Sequence, residues 1–350
     1  MLAPEQFQQQ VLGWFDQHGR HDLPWQTDRS PYRVWLSEIM LQQTQVKTVI
    51  PYFERFVATF PSVQALAAAE EDAVLHLWTG LGYYARARNL LKCAQQVCTE
   101  FDGEFPASID ALTSLPGIGR STAGAIRSIA FRQPAAILDG NVKRVLARYG
   151  AIAGWPGQTA VHKELWALAE TLNPVQRNDD YSQALMDLGA TLCTRSRPAC
   201  ERCPLQTACR ANSSGSQADF PGRKPKKALP VKATTMLIIS NPEDEVFLAR
   251  RPSQGIWGGL WSFPEVEDTV AAAALCLDTF GCEPGEMEHW EPLRHTFSHY
   301  HLDIQPLRIQ LLARVDQVME QDRHLWYNRA RPESVGMAAP VSKLLKLLDI

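Results

Sequence analysis

Four cysteines crowd one short stretch, Cys193-x6-Cys200-x2-Cys203-x5-Cys209, while the other four, Cys93, Cys98, Cys276 and Cys282, are scattered. Thiolates are metal ligands, and a tight set without a disulfide framework points to metal binding rather than cross-linking. Zinc sites usually bring two close pairs across a longer loop. Here only Cys200 and Cys203 are close, with a single cysteine on each side. Four thiolates around one compact object suit a [4Fe–4S] cube, but the spacing differs from ferredoxin runs. On spacing alone, zinc stays open.

Two carboxylates carry the second signal. Asp139 lies in Leu138-Asp139-Gly140-Asn141-Val142-Lys143-Arg144, twenty residues after Gly119. Its plain reading is a cap ahead of a helix starting near Val142. Upstream, Leu115-Pro116-Gly117-Ile118-Gly119-Arg120-Ser121 reads as a Gly-rich turn between helices. Glycine lets backbone approach a ligand closely, and the helix that follows offers free N–H groups to a phosphate, through Gly117 and Gly119. Glu38 sits in Trp35-Leu36-Ser37-Glu38-Ile39-Met40-Leu41-Gln42-Gln43-Thr44-Gln45. Glu38, Gln42 and Gln45 are spaced i, i+4, i+7, which predicts one polar helix face.

A Gly-rich hairpin, an Asp about twenty residues on and four clustered cysteines follow the order of the helix-hairpin-helix glycosylases, the endonuclease III superfamily. The resemblance spans residues 1 to about 225. It implies an iron–sulfur cluster on the four cysteines that braces a basic loop, with Arg195, Arg197 and Arg202, against the DNA backbone. It also implies that Asp139 faces the sugar of a nucleotide flipped out of the duplex, and that Lys143 meets phosphate. A carboxylate there stabilises an oxocarbenium-like state. Superfamily members that also cut the strand carry Lys where this chain has Ser121, so a monofunctional enzyme is expected. Lys143, near Asp139 in sequence, leaves weak lyase activity open.

The stretch around Glu38 resembles the adenine-specific (MutY-type) branch. Adenine leaves poorly until a ring nitrogen is protonated. The resemblance makes Glu38 the acid on adenine N7, and later the group that activates water. It further implies that Gln42 fills the gap left by the flipped base and that Tyr83 wedges beside the opposing 8-oxoguanine. Trp25 and Gln183 would line the adenine pocket, with Ser121 and Asn141 also touching substrate.

The C-terminal third carries Gly259-Leu260-Trp261-Ser262-Phe263-Pro264-Glu265, which resembles the start of a Nudix hydrolase box. Most of the later pattern of that box is missing: Ala273 and Ala274 occupy the Arg-Glu positions, and Leu277 and Asp278 the acid pair, so only Asp278 remains acidic. A Nudix-like domain so changed reads as a recognition module, not a diphosphate hydrolase. Its expected reader is the stretch 295–301, with Phe297 stacking and Ser298 and His299 offering hydrogen bonds to the altered edge of 8-oxoguanine.

These residues need elements to hold them. To about residue 192 the apolar spacing is helical, with segments at 65–78, 85–101, 121–131, 142–149 and 161–172, and Ser30–Pro31 as a helix start. Residues 212–232 are rich in Ser, Gly, Pro and Lys and read as a linker. Beyond them come strands at 234–240 and 246–250, a helix at 268–280, extended segments within 295–315 and a last helix at 341–348. The expected fold is therefore multidomain. An all-α helix-hairpin-helix body (1–211, with the cluster loop at 193–209) precedes an α+β Nudix-like domain (233–350).

With 350 residues, 45% of them hydrophobic, the chain is long enough for two or three packed domains. Residues 1–225 hold 22 Lys and Arg against 21 Asp and Glu, so DNA contact has to come from local patches. Candidates are Lys143, Arg144 and Arg148; Arg195, Arg197, Arg202 and Arg210; and Arg223, Lys224, Lys226, Lys227 and Lys232. No signal peptide or membrane span is legible, so a cytoplasmic monomer is expected, nucleoid-associated when bound to DNA. The expected partner is duplex DNA with A:8-oxoguanine or A:G mispairs. Two rivals are a glycosylase/lyase for oxidised pyrimidines and a non-catalytic iron–sulfur DNA-binding protein.

Overall fold

The computed structural model describes residues 1–225, 228–312 and 323–348. Lys226, Lys227 and the end of the extended segment expected to reach Val315 lie outside the described residues. By contacts the chain divides into two units: Met1–Ala68 with Asn89–Pro225, and Ala69–Arg88 with Lys226–Ile350. Ala69–Arg88, read from the sequence within the helical body, thus groups with the C-terminal residues. No described helix is long and apolar enough to cross a membrane.

The first unit is helical, as its periodicity predicts. Pro31–Leu41 starts with Pro in the first turn, where a missing N–H costs nothing. The Ser30 hydroxyl makes no cap bond. Instead the Ser30 N–H donates to Asp28 Oδ1 at 3.0 Å. Trp35, Leu36, Ile39 and Met40 of this helix are buried, as are Phe53 and Phe56 of the Val46–Thr59 helix. The polar stripe expected through Gln45 does not form. The helix ends at Leu41, Gln43 takes a left-handed φ of 59°, and Gln45 precedes a new helix. The segment expected at 65–78 is also two helices, Val63–Ala67 and Glu71–Trp78. Ser62 caps the first, and Glu71 and Asp72 place negative charge in the first turn of the second, where the helix dipole favours it. The segment at 121–131 is Arg120–Ala125 running into a π-helical turn at Ile126–Ala130.

The second unit is α+β. Its strands are β1 (Val231–Ser240), β2 (Val246–Arg250), β3 (Trp261–Ser262), β4 (Glu265–Val266), β5 (Met287–His289), β6 (Leu293–Thr296), β7 (His301–Gln310) and β8 (His324–Tyr327). The sheet order is β3-β2-β1-β7-β5, with β4 on β1, β6 on β7 and β8 on β2. β1 and β7 run parallel from Val231↔His301 to Ser240↔Gln310, while β6 and β7 form an antiparallel hairpin. The Thr269–Phe280 helix, capped by Asp268, lays Ala272, Cys276 and Phe280 on a core with Leu237, Ile239, Phe247, Leu307 and Ile309. The short strands β3, β4, β5 and β8 were not legible: runs of two to four residues carry little periodicity.

Candidate active site

Glu38 is on the last turn of the Pro31–Leu41 helix. Some of its surface stays accessible, yet it sits deep among protein atoms. Burial, and then the charge of Asp139, push its carboxyl up to about 8. Both influences disfavour the anion, so Glu38 keeps its proton at neutral pH. Asp139 is the N-cap of the Gly140–Gly150 helix, accepting from the Val142 N–H at 2.7 Å. Burial pushes its carboxyl up as well, and the N–H groups of Val142 and Asn141 and the charges of Arg144 and Lys143 only partly oppose that rise. Two carboxyls that sense each other in a poorly solvated space cannot both ionise easily. Asp139, with its backbone donors and helix N-terminus, is the one built to carry the charge.

The hairpin joins the Ile109–Ser114 helix to the one beginning at Arg120. Gly117 has φ 79°, and a Cβ there would press within 3.0 Å of Asn89 Cβ. Gly119, at the helix entry, has open space where a side chain would be. Ser121 accepts a hydrogen bond from the Leu138 N–H at 2.9 Å, which ties the hairpin helix to the residue before Asp139. Its hydroxyl therefore positions backbone. Asn141 turns its side-chain oxygen to Arg144 at 2.8 Å.

Gln183 is buried and donates to Asp187 Oδ1 at 2.8 Å. Asp187 is fully buried and also takes Arg20 Nη2 at 2.6 Å and the Arg20 N–H at 2.7 Å. Sequence reading missed Arg20 and Asp187. The signal was Asp187 one turn after Gln183 in a run of buried helix positions, where a carboxylate demands a cationic partner. Trp25 is buried edge-on to Phe53, ring centroids 5.4 Å apart. Gln42 caps the end of the Glu38 helix, and Lys143 is half-buried in the first turn after Asp139.

All four clustered cysteines line one pocket, with Val145, Tyr149, Leu188, Leu192 and Leu205. Two N–H donors point at sulfur, Arg148 Nη1 to Cys193 Sγ at 3.4 Å and Gln217 Nε2 to Cys200 Sγ at 3.8 Å. Among the described residues no three His, Cys, Asp or Glu side chains are set to hold one metal ion. The four thiols share this pocket, and four thiolates are a donor set that suits a [4Fe–4S] cluster. Arg144 and Arg148, expected in a DNA-facing patch, are committed here instead. Arg144 donates to the Cys193 and Gly189 carbonyls, and Arg148, 3% exposed, to those of Thr194, Arg195, Gln217 and Phe220. Those carbonyls have no helix or sheet partner, and a guanidinium with five donors meets them.

In the second unit, Tyr83 is 50% exposed at φ 49°, in a loop where Gly80 and Gly82 are also left-handed. Phe297, Ser298 and His299 form the tip of the β6–β7 hairpin, closed by Phe297 N–H to the Tyr300 carbonyl at 2.9 Å. Ser298 and His299 are exposed. Phe297 rests on Tyr300, His295 and Trp257, with centroids 4.8, 4.5 and 5.1 Å away.

Comparison with known proteins also separates a glycosylase region from a Nudix region, with Ala69–Arg88 inside the glycosylase match. A family model described as HhH-GPD superfamily base excision DNA repair protein matches residues 36–171, and one for the NUDIX domain matches 235–347. The adenine DNA glycosylase of Buchnera aphidicola subsp. Acyrthosiphon pisum (strain APS) is 39% identical, over 97% of this chain and 97% of its own. The adenine DNA glycosylase of Homo sapiens is 33% identical, over 97% of this chain and 73% of its own. Among solved structures, a thermostable thymine-DNA glycosylase is similar over 61% of this chain and 97% of its own, at 29% identity and a TM-score of 0.55.

Proposed function

The chain belongs to the adenine DNA glycosylases, base-excision repair enzymes, and we propose that it removes adenine from A:8-oxoguanine and, less well, A:G mispairs in duplex DNA. The observation that carries the mechanism is the Glu38–Asp139 pair: burial and the charge of Asp139 push the Glu38 carboxyl up to about 8, while backbone N–H groups at a helix N-terminus oppose the upward shift of Asp139. The adenine is flipped out of the stack, since its glycosidic bond cannot be reached inside it. Glu38 gives its proton to adenine N7. The C1′–N9 bond then breaks with its electron pair leaving on the base, and the Asp139 carboxylate stabilises the cationic sugar. Water adds to C1′ and loses a proton to the Glu38 carboxylate, which restores the acid. With a serine at position 121, and that serine holding the Leu138 N–H, the motif supplies no amine for strand cleavage.

On this reading Arg20, Asp187 and Gln183 fix one wall of the adenine pocket with Trp25, and Gln42 enters the vacated stack. Ser121 and Asn141 support the sugar side through Leu138 and Arg144. Gly117, Gly119 and Lys143 hold phosphate. Tyr83 and the hairpin residues Phe297, Ser298 and His299 address the opposing 8-oxoguanine. Cys193, Cys200, Cys203 and Cys209 would hold one [4Fe–4S] cluster that braces the loop and takes no part in bond breaking. We place the protein in the cytoplasm, a monomer on the chromosome.

The test is single-turnover release of free adenine from A:8-oxoguanine and A:G duplexes, developed with and without alkali. Abasic product that breaks only with alkali is expected. Strand cleavage without alkali, or no adenine release, overturns the reading. About four irons per chain are expected in anaerobically purified protein. One zinc per chain in colourless protein would replace the cluster with a zinc site.

A further inference from the structure

The turn at 256–259, which leads into the former Nudix box, touches two elements that the proposed function assigns to the damaged base. One side of it carries Trp257, 8% exposed and at φ 54°. Left-handed backbone is unfavourable for an aromatic residue and persists only where the surroundings hold it. The Trp257 ring packs on His295 and Phe297 at 5.3 and 5.1 Å between centroids. Its neighbour is Arg251, whose guanidinium carbon lies 5.7 Å from the ring centroid and whose Nε donates to the Ile256 carbonyl at 3.0 Å. Arg251 is ion-paired in turn with Glu265. Glu265 is one of two acids the box keeps, with Asp278, and here it holds an arginine.

The other side of the turn holds Ala69–Arg88. Arg88 donates to the Gly258 carbonyl, and Gly259 lies so near Glu71 that an added Cβ would be 2.8 Å from its carboxylate. Next to the turn, Arg250 pairs with Asp72 at 3.2 Å and reaches Glu71 at 3.7 Å. The segment so held ends in the Gly80–Tyr83 loop, whose Leu81 and Gly82 carbonyls each take Arg86 Nη2 at 3.1 Å.

We propose that this turn is a splint that sets the Tyr83 loop and the Phe297 hairpin at a fixed spacing, with Trp257 and Arg88 as positioning residues for discrimination of the base opposite adenine. Two elements that address one base discriminate only if their spacing is held to a fraction of an ångström. A hydrolase loop that has lost its metal acids leaves its rigid turn available for that task. The proposal rests on the reading that Tyr83 and Phe297 address 8-oxoguanine, so its test has one arm that needs no DNA.

That arm is amide hydrogen exchange on the free full-length protein. Trp257→Ala should raise exchange at residues 80–84 as well as at 296–301, and Arg88→Met should raise it at 296–301 as well as at 80–84. Each variant affecting only the element it touches would overturn the splint, whatever the protein's substrate. In the second arm, Trp257→Ala should lower the A:8-oxoguanine to A:G affinity ratio at least tenfold with A:G excision unchanged. Trp257→Phe, which keeps a ring on Phe297, should stay within threefold of the parent. Crossed exchange effects with an unchanged ratio would keep the splint but reject its role in discrimination. Absence of any 8-oxoguanine preference in the parent protein would reject the functional reading instead.

Discussion

Asp187 is fully buried and answered by Arg20 and Gln183, whereas Ser298 and His299 stand in solvent at a hairpin tip over the half-buried Phe297 ring. The first unit keeps its chemistry inside. Glu38 holds a proton at neutral pH because water is scarce around it, and Arg148 is buried under five carbonyls of the cysteine loop and its surroundings. The second unit keeps its candidate reading groups outside and buries what lies beneath them, Trp257 and Tyr300. The difference suits the tasks proposed for the two units. Proton transfer and charge stabilisation gain strength from a dry, fixed surrounding, while reading a base edge needs free donors and acceptors on a rigid bed.

The sharpest way to break this comparison is at Glu38. Glu38→Gln keeps the shape and loses the proton, and general acid–base groups contribute about 10²- to 10⁴-fold. Adenine release should fall by at least that much while duplex binding persists. Asp139→Asn should cost on the order of 10²- to 10³-fold. Near-parent single-turnover excision by either variant would remove the pair from the mechanism.

The hairpin should give the next largest effect. Each well-placed base contact discriminates by roughly 1 to 3 kcal/mol. Phe297→Ala with Ser298→Ala should therefore reduce the A:8-oxoguanine to A:G affinity ratio by about ten- to several-hundredfold in matched salt. An unchanged ratio would shift the reading to Tyr83 and its neighbours. Point variants are cleaner here than truncation near Phe220, which would strip Ala69–Arg88 of Arg250, Gly258 and Met337.

Excision should also respond to pH with a known sign. On the proposed mechanism the protonated form of Glu38 is the active one, and its pKa is raised to about 8. The single-turnover rate should fall about tenfold per pH unit above that value, and fall again at the acid end as the Asp139 carboxylate takes up a proton. Stability shifts in the same sense. Between the ordinary carboxyl range and about 8 the folded chain holds a proton that the unfolded chain has lost, so this group's contribution declines as pH rises through that window. Glu38→Gln should flatten the stability slope there, and an unaltered slope would mean that another group carries it.

How much of this was legible depended on how local each feature is. The cysteine spacing, the hairpin glycines and the strands expected at 234–240 and 246–250 are short-range patterns, and the strands form there, the first beginning three residues earlier at Val231. The Glu38 stripe failed because one left-handed residue, Gln43, ends a helix that the apolar spacing would have extended. Arg144 and Arg148 were misread as a DNA patch because residue type gives charge but not exposure. Arg20 and Asp187 were missed because 167 residues separate them. The grouping of Ala69–Arg88 with the C-terminal unit was illegible for the same reason: its helix looks like its neighbours, and only its partners differ.

The smallest effect asked for is at Asp268, and it tests whether the second unit can be loosened without touching the chemistry. Asp268 accepts the Ala271 N–H at 2.9 Å and caps the Thr269–Phe280 helix from an exposed position. In a Nudix hydrolase that helix would carry the metal acids; here Ala273, Ala274 and Leu277 replace three of the box residues and leave Asp278 alone, while Ala272, Cys276 and Phe280 pack on the core. Asp268→Ala should cost about 1 kcal/mol, and hence about 4 °C in the unfolding temperature of a unit this size. Excision from A:G duplexes at 25 °C should stay within twofold of the parent, since Glu38 and Asp139 belong to the other unit. The A:8-oxoguanine preference should hold too, because the cap lies apart from Trp257, Phe297 and the turn that supports them. A loss of preference larger than the stability change would mean that the helix still takes part in recognition, and the contrast between a buried catalytic unit and a passively supported reader would have to be redrawn.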